Sequence, residues 1–253
     1  MNQIEFHKFF KSPGPVILPV VHVLDEKQAT RNVALAIRAG APGVLLINHD
    51  ISREAFVPLI RTVRARFPTL WLGVNFLAVT GRDAFPVLGE LQRSGTRVDA
   101  YWADDARIDE MQDSAAQTEA EEIARVRRDS GWSGLYFGGT CFKKQREVAP
   151  KHYAISARTA RGWMDVVTTS GSATGHAPEV GRIETFRTAI GDAPLALASG
   201  ITCANAETFA RYADCFIVGT GISKTGDFHN FDAGKLADLM AVSRGMAVAQ
   251  GAH

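Results

Sequence analysis

Eight short runs of apolar and β-branched residues recur along the chain, at 15–22, 43–49, 70–77, 98–104, 134–142, 164–170, 194–201 and 214–220. Their starts lie 28, 27, 28, 36, 30, 30 and 20 residues apart, enough for a strand, a crossover helix and two short loops. Val44-Leu45-Leu46-Ile47 and Cys215-Phe216-Ile217-Val218 show no polar alternation, which predicts strands buried on both faces, as in a parallel sheet covered by helices. Helical stripes fall between them. Phe56, Leu59, Ile60, Val63 and Phe67 form one; Ala29, Val33, Ala36 and Ile37 form another, with Gly40 placed to cap it. Ile183, Phe186 and Ile190 line a third, and Leu236, Leu239 and Met240 a fourth. The polar stretch 106–117 reads as a long loop before a helix at 118–128. An open doubly wound sheet would place a Gly-x-Gly-x-x-Gly turn after an early strand, and none stands there. Eight βα units in 253 residues therefore predict a closed (β/α)8 barrel, the TIM barrel, with a parallel eight-stranded core. We expect one domain over 1–253, its core at about 15–245, with short N- and C-terminal extensions.

Charge and composition narrow the function classes. Twenty-eight basic and 27 acidic side chains leave a formal charge of +1, so there is no bulk field for nucleic acid or an anionic membrane. The longest apolar runs, such as 15–21, are too short to span a bilayer, and the N-terminus lacks the basic and then apolar pattern of a secretory signal. Cys141, Cys203 and Cys215 have no metal-type spacing and their number is odd, which favours reduced thiols and a cytoplasmic setting. No motif requires a cofactor, and no metal site is assigned. Base rates make a homo-oligomer, first of all a twofold dimer, the expected assembly.

In a barrel of this kind the chemistry lies where the βα loops converge, at the carboxyl ends of the strands. Strand seven runs into Ser199-Gly200 and strand eight into Gly219-Thr220-Gly221. Glycines there let backbone N–H groups approach an anion closely, and a short helix after strand eight would add its positive end. A third small-residue segment, Ser170-Gly171-Ser172-Ala173-Thr174-Gly175-His176, follows strand six. Gly171, Ser199, Gly200, Gly219, Thr220 and Gly221 are thus the candidate phosphate-binding residues, with tight βα turns as the plain alternative for the glycines.

Polar residues at the other strand ends are the candidates for chemistry: His22, Asn48, Asn75, Asp104 and Lys143. A lysine in a desolvated mouth can have its pKa lowered or can pair with a ligand anion, although Lys143 and Lys144 compete for that role. Asp104 competes with Asp105 in the same way, because only alternate side chains of a strand point inwards. His49 and Asp50 could join an acid/base or cation-binding group, or could simply cap a helix. His176 is a loop histidine of the kind that can act as a mobile acid/base. Cys141 has no histidine tied to it, so a buried thiol is its simpler reading.

Several of these segments resemble a known family. Thr169-Ser170-Gly171-Ser172-Ala173-Thr174-Gly175, Pro178, Ala198-Ser199-Gly200-Ile201, and Val218-Gly219-Thr220-Gly221-Ile222-Ser223-Lys224 with Asp227, Asn230 and Asp232 resemble the C-terminal half of the BtpA/SgcQ family. Gly73-Val74-Asn75-Phe76-Leu77 resembles its third strand, and His22 and Asn48 sit where its first two strands end. The likeness runs from residue 15 to about 239 and is strongest over the last eighty residues. It implies a TIM barrel related to phosphate-binding barrels. One branch of the family is associated with photosystem I assembly and others are regarded as enzymes. Departures lie in the first half of the site. Val23-Leu24-Asp25-Glu26 replaces a Pro/Gly-rich loop, Gly138-Gly139-Thr140-Cys141-Phe142-Lys143 keeps a lysine but lacks an aspartate, and Tyr101-Trp102-Ala103-Asp104-Asp105 differs altogether.

Together these readings give a cytoplasmic barrel that binds a small phosphorylated ligand of sugar-phosphate or phosphoribosyl type and acts on it by acid/base chemistry, as a lyase, isomerase or transferase. The alternative is a non-catalytic BtpA-like assembly factor, which would show an exposed apolar patch and a mouth without convergent titratable groups. Phe9, Phe10, Trp102, Trp132 and Trp163 are the residues available for such a patch.

Overall fold

Each of the eight apolar runs forms a strand. In a computed structural model, which describes residues 1–143 and 145–250 (the side chains of 247–250 apart), the strands are β1 Val16–His22, β2 Gly43–Ile47, β3 Trp71–Asn75, β4 Ala100–Ala103, β5 Leu135–Gly139, β6 Val166–Ser170, β7 Leu195–Ala198 and β8 Cys215–Val218. They pair in sequence order and β8 returns to β1, closing a parallel barrel. Helices α2 Glu26–Ala39, α3 Arg53–Arg66, α4 Gly81–Arg93, α5 Thr118–Ser130, α6 Tyr153–Ala160, α7 Val180–Ile190, α8 Ala206–Ala210 and α9 Ala233–Gln250 follow the strands. Gly40 ends α2 in the left-handed region at φ 86°, as its position suggests.

Burial on both faces has a simple source. Val16, Leu18, Val20, Leu45, Ile47, Trp71, Trp102, Phe137, Val166 and Ile217 pack into one cluster inside the barrel. Their strand neighbours Ile17, Val44, Leu46, Leu72, Val74, Val167 and Phe216 belong to a second cluster under the helices. A further helix, α1 Gln3–Phe10, precedes the first strand and is absent from the periodicity reading. It closes the amino-terminal end of the barrel by inserting Phe6 and Phe10, whose rings lie 6.3 Å from Phe137 and 5.1 Å from Trp71. Phe10, Trp102 and Trp132 are buried, so of the aromatic residues available for a surface patch only Phe9 is clearly exposed, at 52%.

The same polar device recurs at the start of three even-numbered strands. Asp99, Asp165 and Asp214 immediately precede β4, β6 and β8. Each accepts a hydrogen bond from the backbone N–H of a residue early in the preceding strand: Leu72, Tyr136 and Leu195, at 2.9, 2.7 and 2.8 Å. Each also receives an arginine from the helix that leads into that preceding strand: Arg64 of α3, Arg127 of α5 and Arg187 of α7. The equivalent place before β2 is Pro42, which leaves the first quarter of the barrel to be closed by other means.

Two segments differ from the simple βα alternation. The stretch 104–117 is a long loop, as expected, knitted by Gln117, which accepts from the Asp109 N–H at 2.7 Å and donates to its carbonyl at 2.8 Å. After β8 the expected short helix is only a three-residue 3₁₀ turn, Thr220–Ile222. A two-stranded hairpin follows, β9 Ser223–Lys224 and β10 Asp227–Phe231, turned at Gly226 with φ 75°. That alternating, turn-separated segment favours a ribbon over a helix.

Candidate active site at the barrel mouth

The carboxyl ends of the strands surround a cavity of about 340 Å³. Its buried floor is apolar, made of Val20, Ile47, Trp102 and Ile217. Around this stand His22 from β1, His49 after β2, Asp104 after β4 and Lys143 after β5. The opposite part of the lining consists of Thr174 and Gly175 after β6, Ser199 after β7 and Gly219 and Thr220 after β8, with Phe228 reaching in from the hairpin.

Of the residues singled out for chemistry, His22, Asp104 and Lys143 meet in this cavity. Asn75 stands just behind, 1% exposed, and donates through Nδ2 to Asp104 Oδ1 at 3.1 Å, so it orients the carboxylate. Asn48 does not line the cavity. Its Oδ1 accepts from the Leu77 N–H at 2.9 Å and its Nδ2 donates to the Ile51 carbonyl at 3.1 Å, tying the ends of β2 and β3 together. Asp105 points the other way, paired with Arg107, which resolves the choice between the adjacent acids. Lys144 lies outside the described residues. Cys141 is buried, and burial pushes its thiol above the ordinary range despite hydrogen bonds from Ser156 and Thr140, a poor setting for a nucleophile. His176 is exposed on its loop.

Among the phosphate candidates, Ser199, Gly219 and Thr220 line the cavity, whereas Gly171, Gly200 and Gly221 do not. These last three are glycines for a packing reason. A Cβ on Gly200 would come within 2.0 Å of the Ala177 nitrogen, one on Gly171 within 1.9 Å of the His176 carbonyl oxygen, and one on Gly221 within 2.0 Å of the Ile201 carbonyl oxygen. The β6–α7 loop is thereby folded tightly at Gly171 and pressed onto the end of β7 at Gly200, the loops after β7 and β8 meet at Gly221, and the first of these loops delivers Thr174 and Gly175 to the lining. Among the backbone hydrogen bonds of the described turns and loops, none is donated by Gly200, Thr220 or Gly221. Ser199 adopts φ 91°, a conformation that costs a non-glycine residue about 1–3 kcal/mol. Ala78, Arg107 and Cys141 also have positive φ, and these four lie in loops after barrel strands, while Lys11, at φ 50°, ends α1. Backbone strain is concentrated on the face that carries the cavity.

The hairpin brings in residues that sequence reasoning missed. Phe228 stands edge-on to His22 and His49, with ring centroids 4.9 and 5.6 Å away. His229 binds Asp50 through Nε2 at 2.7 Å, latching the hairpin to the β2–α3 loop. Its carbonyl accepts from Gln28 and Asn32 of α2. The alternation Asp227-Phe228-His229-Asn230-Phe231 after Thr225-Gly226 was the available signal for a hairpin. Nothing in it says that the ribbon folds over strand one. Among the described residues, no three His, Cys, Asp or Glu side chains are grouped to hold a metal ion.

His22 has its pKa lowered to about 4, first by burial and then by the neighbouring His49, His229 and Lys143. It is a neutral imidazole at pH 7, able to donate from one nitrogen and accept at the other. The sign of its linkage follows. Unfolded His22 takes up a proton near 6.5 and folded His22 does not, so stability falls as pH is lowered through this window. Going from pH 7.5 to 5 should cost about 2 kcal/mol from this group. His7, raised by its hydrogen bond to Asp214 against the effect of burial, works in the opposite sense, but it is common to the parent and to His22→Gln. Urea unfolding at the two pH values should therefore show His22→Gln losing about 2 kcal/mol less than the parent; equal losses would mean that His22 titrates normally.

The BtpA family model matches residues 69–244. No curated protein matches the chain. Solved structures similar to it are barrels of low sequence identity. Tryptophan synthase subunit alpha from Legionella pneumophila is 14% identical at a TM-score of 0.66, covering 97% of this chain and 99% of the other. The native KDPGal structure is 13% identical at 0.62, covering 92% and 96%. Phosphoribosyl anthranilate isomerase from Thermus thermophilus is 15% identical at 0.59, covering 91% and 99%. At these identities the likeness establishes the fold.

Proposed function

The chain belongs to the BtpA family, and from that premise we propose that its mouth binds a small phosphorylated ligand of sugar-phosphate or phosphoribosyl type and acts on it by acid/base chemistry. One observation carries the reading: Ser199, Gly219 and Thr220 share a single cavity with His22, Asp104 and Lys143. The phosphate sits against the first group, at the ends of β7 and β8, with the amides of Gly200 and Gly221 next to Ser199 and Thr220 in the chain. Held there, it spends binding energy far from the reacting bond and orients the rest of the ligand towards the second group. Lys143 places a cation beside a carbonyl or a developing anion. Asp104, oriented by Asn75, takes or returns a proton, and neutral His22 donates a hydrogen bond without adding charge. Proton transfer at a carbon next to a carbonyl and cleavage at an anomeric carbon are the reactions this layout serves. Phosphoribosyl anthranilate isomerase, a barrel of the same fold, is named for a phosphoribosyl substrate, which supports the ligand class.

A non-catalytic assembly factor would have no need of three titratable groups converging on one cavity. Of the described helices none is long and apolar enough to cross a membrane; the three free cysteines support a cytoplasmic setting, and base rates alone support a homo-oligomer. A thermal-unfolding screen with phosphorylated metabolites tests the proposal. A cognate ligand at about a hundredfold excess over Kd stabilises by about 2.7 kcal/mol, an easily read rise in Tm. Unchanged Tm across sugar phosphates and phosphoribosyl compounds would overturn it.

A further inference from the structure

We infer that the phosphorylated ligand carries a flat aromatic or heteroaromatic ring and is not an open polyhydroxylated sugar phosphate; the inference rests on the phosphate reading above and narrows its substrate class. The cavity is polar at its exposed edge and apolar at its floor. Thr174, Gly175 and Thr220 are exposed, while Val20, Ile47 and Ile217 are 3, 4 and 1% exposed. Hydroxyls resting on Val20, Ile47 and Ile217 would lose water and find no partner in those side chains, which is unfavourable for a polyol and not for a ring.

The walls make the same selection. Phe228 reaches in from the hairpin beside His22 of β1 and His49 after β2, and Trp102 lies on β4. Two large aromatic side chains, one in the floor and one from the hairpin, therefore line the cavity. His22 stands perpendicular to Phe228, at 84° with their centroids 4.9 Å apart, so a ring resting against this pair meets one face and one edge, the arrangements aromatic groups prefer. Trp102 Nε1 and His22 Nδ1 are buried and have no hydrogen-bond partner among the described residues. Each is carried by a cavity-lining side chain, and a heteroatom on the ring could satisfy one of them after a small rotation.

Isothermal titration of the full chain with inorganic phosphate, glycerol phosphate, phenyl phosphate and phenol tests this. Phenyl phosphate should bind about tenfold tighter than glycerol phosphate, and Phe228→Ala should bring that ratio towards one. Equal affinities, or tighter glycerol phosphate, would overturn the aromatic inference and leave the phosphate reading standing, as would a ratio unmoved by Phe228→Ala. Binding of phenol with no binding of any phosphate, or no binding at all, would overturn the phosphate reading and the inference with it.

Discussion

Replacing Asp214 by alanine is expected to destabilise the protein by about 3–5 kcal/mol, the range for removing one partner of a buried, hydrogen-bonded ion pair. Asp214 is 3% exposed and holds four groups at once: Arg187 Nη1 at 2.9 Å, the Leu195 N–H at 2.8 Å, His7 Nε2 at 3.0 Å and Gln3 Nε2 at 2.8 Å. It thereby ties α7, β7 and α1 to the start of β8. Burial alone would raise its pKa, but the hydrogen bonds from His7, Leu195 and Gln3 and the charge of Arg187 outweigh it and hold the carboxylate below its usual range. Its contribution is therefore present above the unfolded carboxylate pKa and lost as pH falls through the folded value. The variant leaves Arg187, whose side chain is 15% exposed, without its counter-charge. Asp99 and Asp165 repeat the arrangement at 15 and 27% exposure, so alanine at those places should cost progressively less. Urea denaturation of the three variants measures the order; a cost near zero at Asp214 would show that the clamp does not hold the barrel.

The second large effect is on binding. Gly219→Val should weaken binding of a phosphorylated ligand about a hundredfold, equivalent to roughly 2.7 kcal/mol, while stability changes by no more than about 1–2 kcal/mol. The new Cβ would lie 3.1 Å from His22 Nε2, and its two methyl groups would project into the space assigned to the phosphate. Gly219 has φ −110°, so the valine backbone is not forced into the left-handed region. Gly181→Ala in α7 is the matching control: nothing lies within 4 Å of its added Cβ, and it should leave binding intact and raise stability by up to about 1 kcal/mol through helix propensity. Parent-like affinity in Gly219→Val would move the ligand away from the end of β8.

The barrel was legible because each strand announces itself locally. Val44 to Ile47 and Cys215 to Val218 are apolar without interruption, and that pattern has one common explanation. The convergence of His22, Asp104 and Lys143 was legible in outline, since position at a strand's carboxyl end is itself the criterion. What remained hidden depends on contacts between distant segments. Asp104 and Asp105 are chemically equivalent in sequence and are separated only by the partners Asn75 and Arg107. Arg64, Arg127 and Arg187 read as solvated helix charges until the aspartates before β4, β6 and β8 are seen beside them. Gly200 could have served an anion or a tight approach of the β6–α7 loop, and composition cannot separate the two. Phe228 and His229 act on groups at the ends of β1 and β2, roughly two hundred residues away in the chain, beyond any local pattern.

Titration of ¹⁵N-labelled protein with glycerol phosphate, followed through the backbone amide resonances, tests the central claim most directly. Binding at the ends of β7 and β8 predicts the largest shifts at residues 199–200 and 219–221, with smaller changes at His22 and Lys143 and none along the clamps at Asp99, Asp165 and Asp214. Saturable binding that leaves 199–200 and 219–221 unmoved would contradict it.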